Sequence, residues 1–202
     1  MAGESVESEN KTERKAVKIK ITKKQITKLL IGIFIVAATF SSITYYYLNF
    51  APTDTVVLDG ITITFRQNIR EAKNVLVFPP NEDAIFNMLF AASVRNITIA
   101  FKPASETENP YYILQEFEIV NKLKFAYLRY SRDITFNAVP VEDYSNLNGT
   151  YFNPVIALIH PVYANETSVR FKDNVIFISG KTYKDFDLAT IKFLIIALNI
   201  KI

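Results

Sequence analysis

The chain has 202 residues, with 23 basic and 20 acidic side chains, one histidine and no cysteine. Lacking cysteine, it has no disulfides, thiolate metal sites or cysteine nucleophiles. The first 50 residues hold eight basic against four acidic groups and the remainder 15 against 16, so the basic excess sits near the amino terminus and no basic face for nucleic acid is expected on the folded part.

Residues 1–25 are charged, polar and poor in apolar groups, the composition of a disordered tail. Residues 26–50 read ITKLLIGIFIVAATFSSITYYYLNF, with no charge between Lys28 and Asp54. A helix rises about 1.5 Å per residue, so about 20 apolar residues cross the hydrocarbon core, and this run predicts a transmembrane helix. Tyr45, Tyr46 and Tyr47 suit the far headgroup layer, where a ring wants an apolar body and a wet hydroxyl. Basic residues flanking a span stay in the cytosol, which puts the tail inside and residues 51–202 outside a cell membrane crossed once. A cleaved signal peptide is the rival reading, with residues 29–40 as its apolar core and Ser41-Ser42 after it. A pilin-type leader is another, since Lys23-Lys24-Gln25 precedes the run; Ala51-Pro52-Thr53-Asp54 reads as a break instead.

Residues 51–202 have the length of one domain. Residues 56–58 and 61–65 flank Asp59-Gly60, predicting a hairpin with a two-residue turn. Residues 74–78 predict a buried strand of continuous apolar side chains. Asn81 then reads as an N-cap, with Glu82 and Asp83 at the helix start and Ile85, Met88, Leu89 and Ala92 on one face. Residues 96–101 form the next strand. A long helix follows Pro110, with Ile113, Phe117, Val120, Lys124 and Tyr127 along one stripe and Glu118–Lys122 as an i,i+4 pair. Residues 134–139 and 154–159 predict strands, and residues 170–178 a hairpin about Asp173-Asn174. The last helix, from Asp185 or Asp187 to Asn199, is apolar almost all round. It reads as buried against a sheet; Lys192 in mid-run argues against a second span.

Strands alternating with helices indicate an α/β domain. The expected sheet is largely parallel, partly mixed through the late hairpin at an antiparallel edge, and covered by helices on both faces. Four of the strands run into proline, at Pro79, Pro103, Pro140 and Pro161. Proline cannot donate to a ladder, so each marks a departure from the sheet. If the strands are parallel, all four exits share the carboxyl edge, where open α/β sheets place ligands. The polar residues delivered there are Asn81, Glu82, Lys102, Glu142, Asp143 and His160. The plainer reading is that these are solvated loop positions.

His160 is the sole histidine, so a histidine-dependent acid–base scheme must use it, with Glu142 or Asp143 as partner and Lys102 nearby. A lone histidine between a core strand and proline is more commonly structural. Asp185 and Asp187 read as helix capping, and Glu116 and Glu118 cannot share a helical face. The chain contains no glycine-rich phosphate loop, GxSxG elbow, HExxH helix or EF-hand loop, so no cofactor or metal is expected. Asn96, Asn148 and Asn165 begin Asn-X-Thr sequons, compatible with glycosylation outside the cell.

The stretches TFRQNIREAKNVLVFPPNEDAI and NPVIALIHPVYANETSVRFKDNVIFISGKTYKDFDLATIKFLIIAL resemble a group of uncharacterised archaeal proteins with one amino-terminal span. The resemblance implies a membrane anchor and an extracytoplasmic α/β domain, with no named activity. Two functions compete. One is a binding or assembly module whose partner is another envelope or membrane protein. The other is a surface hydrolase or transferase built on His160.

Overall fold

The computed structural model describes residues 54–105 and 109–201, with Ala38, Thr39 and Ser41. The predicted tail and, apart from those three residues, the predicted span over 26–50 lie outside the described residues. Everything from Asp54 on belongs to one unit, Phe50–Ile202.

The unit opens with a hairpin of β1 (Asp54–Leu58) and β2 (Ile61–Phe65). Its turn places Asp59 at φ 51° and Gly60 at φ 79°, the left-handed pair that matches the twist of the flanking strands. A short α1 (Ile69–Ala72) is capped by Asn68, whose side chain accepts from two backbone N–H groups. Then come β3 (Leu76–Phe78), α2 (Glu82–Phe90) with the expected Asn81 cap, and β4 (Asn96–Phe101). The long α3 (Asn109–Arg129) leads to β5 (Thr135–Pro140) and β6 (Val155–Ile159). The late hairpin is β7 (Ser168–Lys172) and β8 (Val175–Ser179), with Asp173 and Asn174 both at positive φ. The closing helix is α4 (Tyr183–Ala197).

β3 to β8 form one mixed, mostly parallel sheet in the order β3-β7-β8-β6-β4-β5. β8, β6, β4 and β5 are mutually parallel, β7 is antiparallel to β8, and β3 is parallel to β7. β3 therefore runs against the central strands. The expectation that four proline exits share one edge holds for Pro103, Pro140 and Pro161, and fails for Pro79. β7 is not the edge either, because β3 pairs outside it. Pro140 stays within β5, as an edge strand tolerates a residue with no N–H. β3 is also no buried strand, for Leu76 and Phe78 are exposed.

Period-two alternation sorts the sheet into two unlike faces. Ile97, Ile99, Ile156, Leu158, Val169, Ile176 and Ile178 join the main core together with buried side chains of β2 and all four helices. Ala100, Val155, Ala157 and Val175 form a small separate cluster, packed by Val141, Tyr144, Leu147 and Phe177. The expectation of helices on both faces is corrected: among the described residues the cluster on the second face is packed by the β5–β6 connection and contains no helix residue.

α4 is the centre of the helical layer and touches β7, β8 and the other three helices. It is buried all round, as its sequence indicates. Among the described residues no helix is long and apolar enough to cross a membrane. Lys192, buried inside this layer, pairs with Glu82 at 2.7 Å. Gly180, between β8 and α4, lets the chain turn back tightly, since a Cβ there would lie 2.1 Å from the backbone nitrogen of Phe186.

Two helical expectations change. The N-cap of α4 is Thr182, whose hydroxyl accepts from the Asp185 N–H and donates to the Asp185 carboxylate. Asp187 is no cap: it is tucked among Arg66, Gln115 and Gln67, and burial raises its carboxyl pKa against the pull of these partners. α3 buries Tyr112, Gln115, Ile119, Leu123, Ala126 and Tyr127, leaving Ile113 and Phe117 outside. Both stripes are apolar at helical spacing, so periodicity does not choose between them. Tyr127, expected on the stripe of Ile113 and Phe117, instead turns inward with Tyr112, and its hydroxyl donates to the Leu89 carbonyl.

Candidate functional site

The carboxyl edge of β4 and β6 is where connections part in opposite directions. β4 continues through α3 to β5 on one side, while β6 leads to β7 and β8 on the other. Such a switch point leaves a crevice in which open α/β sheets hold ligands. Here the protein's own tyrosines occupy it. The Tyr144 hydroxyl accepts from the Lys102 N–H at 2.8 Å and donates to the Leu158 carbonyl at 2.5 Å, stitching the two strand ends together. The Tyr163 hydroxyl donates to the Pro103 carbonyl at 2.9 Å, with the Lys102 ammonium 4.9 Å above its ring. Burial raises the phenol pKa of Tyr144 and of the neighbouring Tyr112.

His160 lies beneath this plug, fully buried. Its ring is enclosed by Tyr112 at 5.1 Å, Tyr183 at 5.4 Å, and Tyr111 and Phe186 at 6.4 Å. Nδ1 faces the Val162 N–H at 3.4 Å, and the backbone carbonyl accepts from Tyr163 and Ala164. The residue organises the turn after β6. Glu142 and Asp143 lie exposed at the start of the β5–β6 connection. Asp143 closes a local turn with the Ser145 hydroxyl and N–H, which hold its carboxyl below the ordinary range. Thus Lys102, Tyr144 and Tyr163 converge, whereas the acidic pair does not enclose the imidazole.

Asn81 and Glu82 belong to the opposite edge, a consequence of β3 running the other way. Asn81 caps α2 and Glu82 answers Lys192. The sequon asparagines Asn96, Asn148 and Asn165 are all exposed.

Beside the plug, a groove of about 550 Å³ crosses the helix-free face over β6, β8 and β7. Ile159 and Phe177 lie in its floor, Tyr144 and Leu147 on one wall, and Arg170 and Lys172 on β7. Sequence reasoning passed over these residues. A signal was present in SVRFK against VIFIS: Ser168, Arg170 and Lys172 share one face of β7, polar where a helix-covered face would be apolar.

A second surface lies on the helical side. Ile113, Phe117 and Leu128 on α3 are 66%, 63% and 69% exposed. Phe117 and Phe125 border a groove of about 300 Å³ shared with Ile61 and Ile63 of β2. Comparison with protein-family models, curated proteins and solved structures finds no match.

Proposed function

We propose that the chain is a membrane-anchored, single-pass protein whose extracytoplasmic α/β domain serves as a binding or assembly module of the cell envelope. Residues 26–50 hold it in the bilayer, the tail over 1–25 faces the cytosol, and the partner is another membrane or envelope protein. One observation carries the reading: α3 presents a second apolar stripe to solvent, continuous with Ile61 of β2. Singly exposed apolar residues are ordinary, but a contiguous patch on a helix face marks an interaction site. Filling of the switch-point crevice by Tyr144 and Tyr163 weighs on the same side, since the edge where a substrate would enter is closed by the chain itself.

The test uses the full chain in its native membrane, with a photoreactive amino acid at Ile113 or at the exposed control Lys184. The expected result is a discrete adduct with a membrane protein from position 113, none from 184, and loss of that adduct in Phe117→Glu. No adduct from position 113, or one indifferent to Phe117→Glu, removes the reading. Protease added outside intact cells must also reach residues 51–202.

A further inference from the structure

We propose that the groove on the helix-free face binds a small amphipathic oxyanion, a carboxylate or phosphate monoester on an apolar body. Its volume of about 550 Å³ falls in the range of small-molecule sites. The apolar part of the lining, Leu147, Ile159 and Phe177, suits a ring or short chain.

The polar lining divides into groups already engaged and groups left to a ligand. The hydroxyls of Tyr144 and Tyr163 donate to backbone carbonyls, and that of Ser145 to Asp143. Glu166 accepts from the Ser168 hydroxyl at 2.6 Å and from Arg170 Nε at 2.5 Å. Arg170 is thereby held from two sides, by Glu166 through Nε and by the Phe78 ring, 5.7 Å from its guanidinium carbon. The terminal Nη groups are left to donate. Lys172 stands two residues along the same face of β7, with its side chain 80% exposed and a carboxylate no nearer than Asp173 at 3.8 Å. An ion pair that exposed is weak, and an incoming anion displaces it. What remains for a ligand is a pre-positioned guanidinium fork and a neighbouring ammonium. That chemistry selects a planar or tetrahedral oxyanion.

The test titrates the full chain, reconstituted in nanodiscs of zwitterionic lipid, with phenyl phosphate, 3-phenylpropionate and neutral 3-phenylpropanol. Calorimetry should show saturable binding of both anions, with the alcohol weaker by about tenfold, the order expected for a lost charge-assisted contact. Arg170→Gln should weaken the anions by about tenfold and the exposed Lys172→Gln by about threefold, with raised salt acting in the same direction. Nanodiscs of anionic lipid separate the sources: competition with phenyl phosphate assigns the site to lipid headgroups, and its absence assigns it to a soluble metabolite. Near-ultraviolet circular dichroism checks that Arg170→Gln folds; if it does not, Lys172→Gln decides. The proposal is overturned if neither anion saturates, if the alcohol binds as tightly as the anions, or if the folded variants bind them like the parent.

Discussion

The two faces of the sheet are made from the same strands, often from adjacent residues, yet they are sealed in different ways. On one, branched side chains such as Ile99, Ile156 and Ile178 meet four helices and the β2 strand. On the other, the small side chains of Ala100 and Ala157 are packed by Val141, Tyr144 and Leu147 of a loop rather than by a helix. Burial stabilises by roughly 25 cal/mol per Å² of apolar surface. The strip of Ala100, Val155, Ala157 and Val175 is closed without a helix, and the groove opens beside it over Ile159 and Phe177. One face supplies the stability and the other is left free for ligands.

The sharpest way to break this contrast is to truncate a phenylalanine on each side. Phe193→Ala, in the helical core, should cost about 3–5 kcal/mol, while Phe177→Ala beside the groove should cost under about 2 kcal/mol. Denaturant titrations measure both, and equal losses would mean that the faces share the load. Next, Tyr144→Phe leaves the Lys102 N–H and the Leu158 carbonyl without their phenolic partner. A loss of about 1–3 kcal/mol is expected for such stranded groups, and an unchanged midpoint would show that the plug is loose.

Asp187 tests the helical side through pH. Its folded pKa is raised by burial, so the folded state holds that proton more tightly than the unfolded one. Stability from this linkage is complete below the unfolded pKa and is lost as pH rises through the folded one. Asp187→Asn should abolish that decline, so its stability relative to the parent improves from acid toward neutral pH. A constant offset between the two would remove the assignment. The smallest effect belongs to Phe117→Ser, expected within about 0.5 kcal/mol for an exposed site, while partner capture in membranes is lost.

Local chemistry made much of the fold legible. Asp59-Gly60 and Asp173-Asn174 announced both hairpins, Asn81 announced its helix, and the uninterrupted apolar run of α4 announced its burial. Non-local decisions were hidden. Nothing in LVF says that β3 pairs with β7 and so points its proline the other way. In α3 two apolar stripes competed, and only tertiary packing selected the one carrying Tyr112. The site was half visible: Lys102 and His160 lie at the carboxyl edge where the proline exits pointed, but the residues that close it, Tyr144 and Tyr163, carry no local signal of that role. Arg170 and Lys172 were passed over because their meaning depends on the sheet face being bare.

The pairing of β3 with β7 also has a history in time. A polypeptide emerging amino end first delivers β3 early and its ladder partner almost last. Until then the border strand waits unmated, and local contacts alone cannot hold it. Maturation of this domain is accordingly a late event, completed only once nearly the whole chain has cleared the ribosome. A product cut short before β7 would lack β8 and α4 as well, and with them both the means to close its sheet and the centre of its helical layer.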